Sequence, residues 1–169
     1  MRRTLKFLHS IAAIGMTGAL AAHIILLAVS PEPSSLEAYA AMREGIAAIT
    51  RYLLLPSLTL VLFTGLLALG MHTPFHNAGW AWVKAAMGLW IFQGTLKGIE
   101  GPAEQAAIVS ARALQEEIDP QILQDLMRTE WGSLWVILAL AVANVAIAIW
   151  RPRLGRKPAP AAPSRQEQR

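Results

Sequence analysis

The sequence predicts an all-α integral membrane four-helix bundle with up-down-up-down topology and two amphipathic helical segments on its outer surface. Three observations predict it. Four apolar stretches, Leu5–Val29, Tyr52–Met71, Trp80–Ile99 and Trp131–Trp150, are each about 20 residues long, enough to cross a bilayer. Charge is segregated between the two sides. With both termini inside, the inner segments Met1–Lys6, His72–Lys84 and Arg151–Arg169 carry three, one and six Lys/Arg against a single acid, Glu167. Basic residues at span ends orient a membrane protein positive-inside, so both termini are expected to be cytoplasmic. Finally, 54% of the chain is hydrophobic and only 15% charged, and the spans leave no room for a separate soluble domain.

The expected organisation is a membrane domain over residues 1–150 and a disordered, basic cytoplasmic tail over 151–169, rich in Pro, Ala, Gln and Arg. The high pI does not imply nucleic acid, because the positive charge lies in flanks where anionic lipid headgroups meet it. The lipid bilayer is the expected partner, with a homo-oligomer or a larger membrane complex as further possibilities. There are no cysteines, so disulfides, thiolate metal sites and covalent c-type haem are excluded.

The first stretch opens with Arg2-Arg3 and contains Ala19-Leu20-Ala21, which has the look of a signal peptide with a cleavage site. The apolar run continues through Ile24-Ile25-Leu26-Leu27 to Val29, so a retained first helix is expected. Pro31 and Pro33 stop it. Ser34 and Glu37 then form a capping box for a short amphipathic helix with Tyr39, Met42, Ile46 and Ile49 on one face and Glu37, Arg43 and Glu44 between them. Pro56 should kink the second span. Thr73-Pro74 and Asn77-Ala78-Gly79 make the inner turn, with Trp80 and Trp82 at the next interface. The outer segment Gly101–Thr129 restarts at Asp119-Pro120, with Ile108, Leu114, Ile118, Ile122, Leu126 and Met127 as its apolar side. It reads as a helical lid, or as a docking surface or cap over a cofactor.

Chemistry is concentrated in few residues. His9, Met16 and His23 recur every seven residues, within about 40° of one another on a helix, flanked by Ala12, Ala13 and Ala19. Ionisable side chains inside a membrane face the protein interior. His9 and His23 lie about 21 Å apart along the axis, so they would serve separate sites. His72 and His76, at the inner end of the second span, share a side of the membrane with His9, and a haem iron held by His9 and one of them is geometrically feasible. Met71 adds a thioether, which makes copper the alternative. The candidate cofactor-binding set is thus His9, His72, His76 and Lys84; the candidate metal-ligating set is His9, Met16, His23 and Met71. Gln93 and Asn144 are candidates for hydrogen bonds between helices, and Gly15 and Gly18 for close packing. No catalytic triad, phosphate loop or close carboxylate pair is present.

Three motifs carry a resemblance: Leu5-Lys6-Phe7-Leu8-His9 opening the first span, Pro56-Ser57-Leu58 to Thr64-Gly65-Leu66 in the second, and Gly79-Trp80-Ala81-Trp82-Val83-Lys84 opening the third. Over about residues 4–150 the chain resembles a family of uncharacterised bacterial four-helix membrane proteins, itself similar to the membrane domain of copper-resistance protein D and to the haem-containing protoporphyrinogen oxidase HemJ. The resemblance implies that His9 is a haem or metal ligand and Lys84 a site-lining cation. Phe92-Gln93-Gly94 stands where HemJ has a histidine. Three functions are therefore expected as alternatives: a redox-associated protein binding haem b near the cytoplasmic face of the bacterial inner membrane, a non-enzymatic accessory or assembly subunit, or a copper transport or tolerance protein.

Overall fold

A computed structural model describes residues 2–30, 35–71, 79–115 and 119–150, and these are almost entirely helical, without a strand among them. Helix α1 is Arg2–Ala28. Helix α2, Leu36–Ile49, runs through a π-helical turn, Thr50–Leu54, directly into α3, Leu55–Met71. Helix α4, Gly79–Thr95, likewise passes through a π turn, Leu96–Glu100, into α5, Gly101–Arg112. Helix α6 is Pro120–Trp150.

Three of these units are long and apolar enough to cross a membrane: Arg3–Ala28, Leu36–Met71 and Gln121–Trp150. The expected third span lies within a continuous helix but falls short of that standard, because Trp80, Trp82 and Trp90 together with Lys84, Gln93 and Lys97 dilute its hydropathy.

The two outer segments differ from expectation in the same way. Each continues a neighbouring helix instead of starting a new one, and each junction is a π turn ending two residues before a proline, Pro56 or Pro102. A proline lacks the N–H for the carbonyl four residues back and crowds it. One wide turn takes up that defect without ending the helix. The expected capping residue Ser34 lies outside the described residues, and Ser35 occupies the N-cap without a side-chain cap bond. Asp119 does cap α6, its Oδ1 accepting from Gln121 N at 2.9 Å.

Helix α1 packs on α3, α2 on α5, and α4 and α5 on α6. Side-chain pairs fix the directions. His9 meets Thr64, while His23 meets Thr50, so α1 runs antiparallel to the α2–α3 helix. Gly94 faces Ile137 and Gly98 faces Ser133, which makes α4 antiparallel to α6. Gly15 fulfils its packing role, since a methyl there would sit 2.6 Å from Ser57 Oγ, whereas Gly18 faces open space. The core joins Leu20, Leu27, Ile46, Leu54, Ile99, Leu134 and Ile137.

The buried face of α5 is not the apolar side expected. On α5 Ile108 is exposed while Ala103, Ala106, Ala107 and Ser110 are buried; beyond it Leu114 and Ile122 are exposed too, and of the expected apolar side Met127 packs against the core. Small side chains let helix backbones approach closely, so α5 buries its alanine face rather than its branched one where it packs on α2 and α6. Ile118 lies outside the described residues, as does the tail from 151 onward.

Candidate functional site

Where α1, α2 and α6 converge, three ionisable side chains are wholly withdrawn from solvent: His23, Arg43 and Glu130 each expose 0% of their surface. His23 reaches there because it shares the α1 face of Ala12, Ala19 and Leu27, all buried. Arg43 lies one turn from both Tyr39 and Ile46 on the inner face of α2. Glu130 stands just before the apolar run of α6, one residue from Trp131. A single chain of hydrogen bonds joins them. His23 Nε2 lies 2.8 Å from Glu130 Oε1, and Arg43 Nη2 donates to Glu130 Oε2 at 2.6 Å. Thr50, the first residue of the π turn, places Oγ1 3.1 Å from His23 Nδ1 and 3.0 Å from the Ile46 carbonyl oxygen.

Arg43 is therefore not on the polar side of a surface helix, the role its charge suggests in the sequence. It is buried because Glu130 neutralises it across the bundle, an attraction large enough in a low-dielectric interior to offset much of the desolvation cost. Its Nε and Nη1 remain buried without a partner. The phenol of Tyr39 is near enough to feel both the guanidinium and the carboxylate. Neither Arg43 nor Glu130 was among the candidate residues. The available signals were local: an arginine in register with Tyr39, Ile46 and Thr50, and an acid at the mouth of a span.

A second polar contact lies about 21 Å away along α1. His9 Nδ1 is 2.8 Å from Thr64 Oγ1, and Thr64 donates its one hydroxyl proton to Leu60 O at 2.6 Å. With its proton so directed, the threonine oxygen can only accept from His9 Nδ1–H, and in that tautomer Nε2 keeps its lone pair. Gly65 lies against the ring, with its would-be Cβ 3.6 Å from His9 Cε1. Lys84 is close enough for its charge to act on His9.

The other candidates do not converge. Met16 is partly buried against the core two turns from either histidine, and Met71 is exposed at the end of α3. His23 has both ring nitrogens engaged by Thr50 and Glu130, which leaves no free lone pair for a metal. His72 and His76 lie outside the described residues. Among the described residues no group of three or more His, Asp or Glu could hold a metal ion. Gln93 is exposed, and the buried Oδ1 of Asn144 has no hydrogen-bond partner among the described residues.

No protein-family model matches the chain, and neither the curated proteins nor the solved structures offer a significant match.

Proposed function

We propose that this chain is a four-span membrane protein of a bacterial inner membrane, up-down-up-down with both termini cytoplasmic, that takes up and releases one proton at its buried His23–Glu130 pair. The observation that carries the reading is the complete burial of His23, Glu130 and Arg43 in one hydrogen-bond chain. Ionisable groups inside a membrane protein are expensive, and proton relays are among their principal uses. Support for the fourth span comes from the charge segregation and from the antiparallel packing of α4 on α6. The 1–150 membrane domain would act within a redox or transport assembly, as a homo-oligomer or as an accessory subunit of a larger complex.

The test is pH-difference infrared spectroscopy of the protein in lipid nanodiscs. Between about pH 9 and 4 it should take up a proton that His23→Gln abolishes, because the pH span covers the imidazole range and several units either side. An imidazole and carboxylate that keep one protonation state throughout would reduce the cluster to a static tie and leave the accessory-subunit reading.

A second reading rests on a different observation, the free Nε2 of His9 beside Gly65. That nitrogen suits an axial ligand whose other ring nitrogen is fixed by a hydrogen bond. There His9, with Lys84 as neighbouring cation and His72 or His76 as partner, would hold haem b, which supplies one-electron chemistry when bound. Protein expressed with ample haem should then show a Soret band that His9→Gln removes and His23→Gln leaves. A wild-type spectrum with no such band would sink this reading, and stoichiometric copper at His9 would replace it with the copper one.

A further inference from the structure

We infer that the Thr50 hydroxyl is the switch of the buried site: by turning between two acceptors it sets whether the cluster holds the extra proton. The inference rests on the proton-binding reading and assigns it a mechanism.

Thr50 has a single hydroxyl proton and two acceptors at nearly equal range, the Ile46 carbonyl at 3.0 Å and His23 Nδ1 at 3.1 Å. Neither distance favours one over the other. When the proton points at Ile46, the oxygen can only accept from His23, so Nδ1 must carry hydrogen. The 2.8 Å contact between Nε2 and Glu130 Oε1 needs a hydrogen of its own. His23 is then imidazolium between two acceptors. When the hydroxyl turns to His23, Nδ1 becomes the acceptor and the ring keeps only Nε2–H, directed at the Glu130 carboxylate. The two arrangements differ by one proton. With Arg43 and Glu130 ionised in both, the cluster carries a net charge of one in the first and none in the second.

The turn is nearly free of side costs. Ile46 O also accepts the backbone N–H of Thr50, so losing the hydroxyl does not orphan that carbonyl. Arg43 Nη2 stays on Glu130 Oε2 in both arrangements, keeping the carboxylate ionised and directing the proton to the imidazole. The groups facing His23 are few: Arg43 and Tyr39 from α2 and Glu130 from α6. On the same elements Glu37, Glu44, Arg51, Tyr52, Asp125 and Arg128 are exposed, and Glu100 of the second π turn is only part-buried.

The test compares Thr50→Val, which keeps the branched shape and removes the hydroxyl, with Thr50→Ser, which keeps the hydroxyl. Ring nitrogen NMR of ¹⁵N-histidine protein in nanodiscs reads both the midpoint of proton uptake and the tautomer. The wild type should pass from imidazolium to the Nε2–H tautomer as pH rises. Valine removes the ring's bond to the hydroxyl in both states, and the bond from the charged Nδ1–H is the stronger of the two, so the midpoint should move to lower pH by about one unit. Serine should leave it within about 0.3 units, a difference below the energy of one neutral hydrogen bond. A ring that titrates with the same midpoint in wild type and valine variant overturns the switch and leaves the proton site standing. A neutral ring of the Nδ1–H tautomer at high pH also overturns it. If the wild-type ring does not titrate at all, the proton-binding reading itself has failed.

Discussion

Glu130 is the residue on which the cluster depends, because it accepts from His23 with one oxygen and from Arg43 with the other. Removing one member of a buried ion pair leaves the other charge uncompensated, at a typical cost of 3–5 kcal/mol. Glu130→Gln and Arg43→Met should therefore each destabilise the protein by about that much. The double variant should be less destabilised than the two losses together, since no lone charge remains. Unfolding in mixed micelles measures all three, and strict additivity would show that the pair is not coupled. None of this pairing was legible in the sequence. Arg43 and Glu130 are 87 positions apart, and a charge between apolar residues on a helix usually marks the solvated side. His23 was legible as a candidate because an ionisable residue within an apolar run is conspicuous by itself.

At the level of helices, the sequence marked the apolar runs well and their junctions poorly. The sequence reads the two outer segments as helices of their own, yet each is continuous with a neighbouring helix through a π turn before Pro56 or Pro102. Local propensity lost to tertiary packing: α5, which packs on α2 and α6, buries Ala103, Ala106, Ala107 and Ser110, small residues whose periodicity hydropathy does not register. The glycines of α4 offer a graded test. At Gly98 an added methyl would overlap Ser133 Oγ and lie 2.8 Å from its Cβ, so the backbones must separate. At Gly94 the obstacle is the end of Ile137, with Cδ1 at 2.7 Å, which can change rotamer. Gly18 has nothing within 4 Å, and alanine there gains helix propensity of about 0.5–1 kcal/mol. The expected order of stability is Gly18→Ala above wild type, Gly94→Ala slightly below it, and Gly98→Ala lowest, with Ser133→Gly restoring the last. Thermal melts in detergent check the order, and a neutral Gly98→Ala would contradict the close approach of α4 and α6.

For the molecule as a whole, the segregation of charge predicts an orientation. Reporter fusions after residues 75 and 155 should read cytoplasmic, and fusions after 40 and 115 should read external. The reverse result would place the His23 cluster toward the cytoplasmic face and His9 toward the opposite one. The apolar runs and flanking charges predict this arrangement because both act locally and independently of packing. The convergence of α1, α2 and α6 on one point depends on contacts between distant segments, which a single sequence does not display.

The unbroken helix from Leu36 to Met71 has 36 residues, about 54 Å at 1.5 Å per residue, against a hydrocarbon core of about 30 Å. Roughly 20 Å of it must stand clear of the lipid, and the 31 residues of α6 have a similar surplus. Such a bundle has latitude to slide along the membrane normal as bilayer thickness changes, since hydrophobic mismatch costs only fractions of a kcal/mol per Å. Lipid length would then set how far below the water boundary the His23 cluster lies. On the proton-binding proposal, proton exchange should be faster in short-chain nanodiscs than in long-chain ones, and bilayer thickness would be a second control on the site alongside pH.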